Sequence, residues 1–217
     1  MADHIKTRRM MVDTQIRPSD VTKFPIIDAM LSVPRERFVP DNMQDAAYLD
    51  GHIPLAPSRV VLEPRAFAKL LDALDIQPDE MVLDLGCGYG YSAAVIARMA
   101  EAVVALEAED GLASEAERVL GETGADNVAV VSGALSEGAA KHGPYDVIIV
   151  EGGVEELPEA LIDQLNEGGR IGCIFMQGAL GEARVGHKSD GSVTWRQAFN
   201  AAAPVLPGFA REAAFEL

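Results

Sequence analysis

The residues best suited to chemistry in this sequence lie in Val82-Leu83-Asp84-Leu85-Gly86-Cys87-Gly88-Tyr89-Gly90-Tyr91-Ser92. A short apolar run ends in a G-x-G-x-G turn and then opens a helix. Glycines there let the backbone bend sharply and let a ligand approach it. The carboxyl edge of a parallel sheet, where this turn falls, is where open α/β sheets bind ligands. A dinucleotide would need G-x-G-x-x-G, but the third glycine position counted from Gly86 is Tyr91. Asp84 would also repel a pyrophosphate. It would attract a ligand bearing an ammonium group and a sulfonium, and S-adenosylmethionine is such a cation. Glu107 ends the next predicted strand, 23 residues after Asp84. A carboxylate at that place can take both ribose hydroxyls. The predicted cofactor contacts are therefore Asp84, Gly86, Gly88, Gly90 and Glu107. Cys87 needs only to be small, and Tyr91 lines the pocket.

These residues require a sheet to position them. From Pro78 onward, strands predicted at 81–85, 103–106, 128–131, 147–150 and 170–175 alternate with helices at 92–99, 112–120 and 158–165. Apolar strands in a βαβα rhythm imply a mostly parallel sheet covered on both faces. The expected fold is a doubly wound, seven-stranded, Rossmann-like methyltransferase sheet with an antiparallel C-terminal hairpin. Asp190-Gly191 turns that hairpin between 183–187 and 193–199, Trp195 anchors it, and 213–217 could add an edge strand. Residues 1–76 read as an N-terminal helical appendage on the substrate side, and 77–217 as the cofactor-binding core. Helices are expected at 4–16, at 26–32 (stopped by Pro34) and at 66–74. Phe38-Val39-Pro40 reads as extended, and Asp50 to Pro57 as a loop. Asp146 supports strand geometry. Glu151, after the fourth core strand, could orient an amine, repel an anion or be solvated.

Composition narrows the partners. The 217 residues carry a formal net charge of −16, with 48% apolar residues. Residues 101–169 hold two basic and sixteen acidic side chains, net −14, most simply as solvated helix and loop surface. Such a charge argues against nucleic acid or an anionic membrane as partner. It leaves the two ends, each net +1, to admit an acidic acceptor. Cys87, Cys173 and four scattered histidines form no metal spacing, so no metal is expected. The polar N-terminus has no apolar region of a secretory signal, and a cytoplasmic setting is the expectation.

Several segments together resemble the protein-L-isoaspartate O-methyltransferase family. They are Met11 to Ile16, Ala29 to Pro40 (AMLSVPRERFVP), Val82 to Ser92, Tyr145 to Val150, Pro158 to Leu165 and Gly168 to Arg170. The VPRERFVP stretch is the specific part. The resemblance implies methylation of the carboxylate of isoaspartyl residues in damaged proteins, with S-adenosylmethionine as donor. It adds Ala134, Leu135 and Glu151 to the cofactor side. The sequence departs from the family where Val60-Val61-Leu62-Glu63-Pro64 replaces a Thr-Ile-Ser-Gln-Pro segment, so Leu62 stands in place of the serine. Gly133-Ala134 replaces a Gly-Asp pair, and Glu151-Gly152-Gly153 replaces Thr-Ala-Ala.

No catalytic residue is therefore assigned. Ser58 could replace the lost hydroxyl, and Glu151, Glu63 or His52 could act as a base if the acceptor needed one. Arg17, Arg35 and Arg59 could receive an acidic acceptor, though each is more often a surface ion-pair partner. The partner is an isoaspartyl protein or peptide. The alternatives are a small-molecule acceptor on the same scaffold or a non-catalytic S-adenosylmethionine-binding protein.

Overall fold

The structure is a computed structural model and describes residues 3–211. The chain opens with α1 (His4–Met11), capped by the Asp3 side chain on the Lys6 amide at 3.2 Å. A π-helical turn, Val12–Ile16, continues it and buries both end residues. Helix α2 (Phe24–Ser32) stops at Val33, which is extended (ψ 122°) as a residue before proline must be. A 3-10 turn, Arg35–Phe38, follows, so that of the predicted 38–40 stretch Phe38 is in the turn while Val39 (ψ 157°) and Pro40 (ψ 145°) are extended.

The predicted loop at 50–57 needs a correction. Ile53–Ala56 is a strand, β1, and it pairs antiparallel with β2 (Arg59–Val61). Two prolines in the sequence hide it, but a proline is tolerated where a two-stranded ribbon leaves its outer edge free. Helix α3 (Pro64–Leu74) then starts on proline, whose missing N–H costs nothing at that position.

The sheet comprises β3 (Met81–Leu85), β4 (Ala102–Glu107), β5 (Val128–Ser132), β6 (Tyr145–Val154), β7 (Leu165–Gln177), β8 (Leu180–Ser189) and β9 (Ser192–Asn200). Their spatial order is β5-β4-β3-β6-β7-β8-β9, and the pairs are parallel up to β7 and antiparallel after it. The expected architecture is thus present. The winding runs outward from β3 to β5 and then returns to the other side of β3. The topological switch point, the usual ligand crevice, therefore lies beside the end of β3. Helices α4 (Tyr91–Ile96) and α6 (Glu159–Asp163) are shorter than the predicted ranges, and α5 (Asp110–Thr123) extends beyond its predicted range at both ends. The predicted edge strand at 213–217 lies outside the described residues.

The N-terminal segment and one face of the sheet share a single apolar cluster, in which Met30, Phe38 and Phe67 meet Tyr91 and Val95. Phe38 and Phe67 lie 5.9 and 5.8 Å from the Tyr91 ring centroid. The opposite face buries Leu83, Leu85, Ile148 and Val150 with Leu161 and Phe209. Trp195 anchors the C-terminal hairpin by an edge-on contact with Phe175 at 4.9 Å. Phe38 is fully buried, so Phe38→Ala should lower stability by about 3–5 kcal/mol. The check is a lower urea midpoint with an unchanged m-value.

Candidate functional site

Three carboxylates cluster on three adjacent strands, level with the carboxyl end of β3. Asp84 lies in β3, Glu107 closes β4 and Glu151 lies in β6. All are buried, with exposures of 0%, 0% and 5%. The glycine turn joins β3 to α4, and Gly86, Gly88 and Gly90 all have positive φ (83°, 57° and 89°). Only glycine adopts that conformation three times in five residues without strain. The turn is pinned by amide hydrogen bonds from Gly86 and Cys87 to the Leu106 carbonyl at 2.8 and 3.4 Å.

Glu107 is the most heavily bonded of the three. Its Oε1 accepts from the amides of Ala108 (2.9 Å) and Glu109 (3.3 Å). Its Oε2 accepts from the Gly88 amide (2.8 Å) and from Arg59 Nη2. Asp84 Oδ2 accepts from the Ser92 hydroxyl at 2.7 Å, while Oδ1 has no partner among the described residues. Glu151 Oε1 is likewise unpartnered.

Two buried guanidinium groups offset these charges. Arg35 is fully buried. Its Nε and Nη2 donate to the carbonyls of Ala47 and Leu62, both at 2.7 Å, and its guanidinium lies 4.6 Å from the Tyr91 ring centroid. Arg59 is 1% exposed and pairs with Glu107. The default reading of both as surface ion-pair partners is therefore overturned. Carboxylates sealed from water need nearby cations to hold their charge; Arg59 lowers the cost for Asp84 and Glu151, and Arg35 for Glu151. Only Arg17 is at the surface, paired with Asp13.

The remaining candidates fall into place around this centre. Leu62 is buried beside the β1–β2 hairpin, and its carbonyl accepts from Arg35. Ser58 is exposed at the β1–β2 turn with φ 58°, apart from the buried polar cluster. His52 staples the hairpin base: its Nδ1 accepts from the Glu63 amide at 3.0 Å, and its Nε2 contacts the Ala202 carbonyl at 2.8 Å. Leu135 is buried and Ala134 exposed, next to Gly133, whose amide donates to the Glu107 carbonyl at 3.0 Å. Cys87 and Tyr91 are buried within the turn and the start of α4. Asp146 supports the strands as expected, accepting from the Met81 amide (2.9 Å) and the Asn166 side chain (2.7 Å).

The solvated reading of Glu151 fails, because the chain covers it. Gly152 and Gly153 serve packing: a Cβ at Gly152 would lie 2.5 Å from Leu206, and one at Gly153 would lie 2.6 Å from the Ala203 carbonyl oxygen. Sequence reasoning could not find this contact, which joins residues about fifty apart.

The profile of the protein-L-isoaspartate(D-aspartate) O-methyltransferase family matches residues 6–200. The chain belongs to this family. A protein-L-isoaspartate O-methyltransferase of Syntrophus aciditrophicus is 38% identical over 172 residues, 79% of either chain. One of Gloeobacter violaceus is 41% identical over 161 residues, 74% of this chain and 78% of its own. A solved protein-L-isoaspartate O-methyltransferase superimposes with a TM-score of 0.79 at 26% identity, covering 94% of this chain and 65% of that one. A Plasmodium falciparum protein solved with S-adenosyl-L-homocysteine has the same fold at 19% identity, TM-score 0.79.

The methyl donor of the family is S-adenosylmethionine. The residues at the end of β3 and β4 fit such a group. Asp84 Oδ1 is a buried acceptor without a donor, and the Gly86–Gly90 turn has no side chains of its own at its glycines.

Burial pushes the Asp84 carboxyl up to about 7; the charge of Glu107 adds to the shift, and the Ser92 hydrogen bond and Arg59 oppose it. Burial also holds Glu151 well above the usual carboxylate range, with Asp84 adding to it. Each group binds its proton more tightly folded than unfolded. Their contribution to stability is thus complete below the ordinary carboxylate pKa and lost as pH rises through the folded value. Between about pH 5 and pH 8 the urea midpoint should fall, and Asp84→Asn should flatten that slope. A midpoint that rises over this window would contradict the assignment.

Proposed function

We propose that this chain transfers a methyl group from S-adenosylmethionine to the carboxylate of isoaspartyl residues in damaged proteins. The single observation behind the reading is the glycine turn at the switch point, flanked by Asp84 and Glu107, in a chain of the isoaspartyl methyltransferase family. Bound there, the cofactor supplies an electrophilic methyl on sulfur. Asp84 would hold its ammonium group, and Glu107 would hold the ribose hydroxyls. The backbone of Gly86 to Gly90 would pass close beside it, with Tyr91 and Leu135 as buried walls.

A carboxylate acceptor is already ionised at neutral pH, its pKa being about 4. It needs no general base. The protein's work is alignment and the exclusion of water. This suits a site in which Leu62 stands where the family has serine, because an apolar side chain can shape and dry a pocket but cannot donate a hydrogen bond. Arg35, with Nη1 unpartnered, is a buried cation that favours an anionic acceptor near Glu151 over a neutral one. Residues 1–76 are proposed as the substrate-side segment, and a cytoplasmic setting follows from the nature of the substrate. Among the described residues no helix is long and apolar enough to cross a membrane.

Incubation with methyl-labelled S-adenosylmethionine and an isoaspartyl peptide should yield base-labile methyl ester, and none with the matching aspartyl peptide. Cofactor binding without ester formation would point to a small-molecule acceptor instead. Asp84→Ala should weaken cofactor binding by about 1–3 kcal/mol, the range for hydrogen bonds to charged groups. Calorimetry showing unchanged affinity would mean that the ammonium group is held elsewhere.

A further inference from the structure

The glycine turn is covered by the chain's own hairpin. A Cβ at Gly88 would lie 2.4 Å from Leu55 Cδ1, and one at Gly86 would lie 2.9 Å from Arg59 Nη1 and 3.1 Å from its Nη2. Leu55 belongs to β1 and Arg59 to β2. The hairpin thus lays an apolar side chain and a guanidinium on the surface that the cofactor must approach.

The bonding capacity of Glu107 makes this a conflict. A carboxylate offers about four lone-pair sites. Glu107 fills them with Gly88 N, Ala108 N, Glu109 N and Arg59 Nη2. Three of those donors are backbone amides fixed by the turns after β3 and β4. Only Arg59 can leave. While the guanidinium stays, no site on this carboxylate is open to a ribose hydroxyl, and its departure opens one.

Arg59 is also poorly satisfied where it lies, since its buried Nε and Nη1 have no partner among the described residues. Desolvation of such a pair offsets much of its attraction, so the contact is poised to open. The hairpin base is fastened by His52 to Glu63 and Ala202, and by Arg35 to the Leu62 carbonyl. Its tip, Pro57-Ser58, is exposed. This arrangement lets the tip and the Arg59 side chain move while the base stays fixed.

We propose that Arg59 is a built-in competitor for the cofactor's ribose, and that the methyl donor binds only as hairpin β1–β2 withdraws Arg59 from Glu107. The inference rests on the reading of Asp84 to Gly90 and Glu107 as the donor site. Arg59 then sets donor affinity, and the site stays closed until donor arrives.

The test is calorimetric titration of the full chain with S-adenosylhomocysteine, comparing wild type, Arg59→Ala and Arg59→Gln. Hydrogen exchange of the amides at 55–60 is followed in the wild type with and without the same ligand. Both variants should bind at least tenfold tighter, and the hairpin amides should lose protection on saturation. The exchange measurement needs no variant, so it holds if Arg59→Ala folds poorly. Weaker or equal binding by the variants, with hairpin amides gaining protection, would make Arg59 a ligand or a bystander and overturn the competition while leaving the donor site intact. No binding by wild type or either variant would overturn both readings.

Discussion

Everything around the site follows from placing the Glu107 carboxylate at zero exposure. An isolated buried charge would be too costly to keep. The chain meets the cost with three backbone amides drawn from two strand-to-helix turns and with one buried guanidinium. Satisfying one carboxylate therefore fixes the turn after β3, the turn after β4 and the resting place of the β1–β2 hairpin. The same bonds align the ends of neighbouring strands, which Gly86 and Gly133 lock further through Leu106 and Glu107 carbonyls.

The N-terminal segment is tied to this centre by arginines rather than by apolar contact alone. Arg35 reaches from the Arg35–Phe38 turn to Ala47, Leu62 and the Tyr91 ring. Arg8 joins Glu36 and Tyr48 one layer further out. These contacts account for the distinctiveness of the VPRERFVP stretch. Its Arg35, Glu36 and Phe38 each have a specific partner in a different element, so the motif encodes the fit of the segment onto the sheet.

Much of this was legible in the sequence because the signals are local. Apolar runs, glycine spacing and the offset from Asp84 to Glu107 lie within single βα units, and they led to the fold and to the family. What stayed hidden depends on distant partners. The β1–β2 ribbon was obscured by Pro54 and Pro57, whose local preference for loops is overridden by pairing with 59–61. Arg59 reads from its type as a surface residue. Its burial follows only once Asp84, Glu107 and Glu151 are known to converge. Glu151-Gly152-Gly153 reads as a rewritten acceptor site, whereas its glycines make room for residues 203–206. A hint was available in the charges: three acidic strand ends facing one crevice require cations from the chain itself or from a ligand.

The contact between β6 and the later chain also bears on how the protein is made. The Gly153 amide donates to the Pro204 carbonyl at 2.8 Å, and the Leu206 amide donates to Gly153 at 2.9 Å. The strand holding Glu151 is thus finished by backbone that emerges about fifty residues later. At roughly 5–20 residues per second of synthesis, that delay is about 3–10 s. During it, the Gly152-Gly153 edge of β6 lacks the backbone partners that Pro204 and Leu206 later supply. The far end of β6 is therefore a late product of translation, complete only when residues 204–206 have settled beside Gly153.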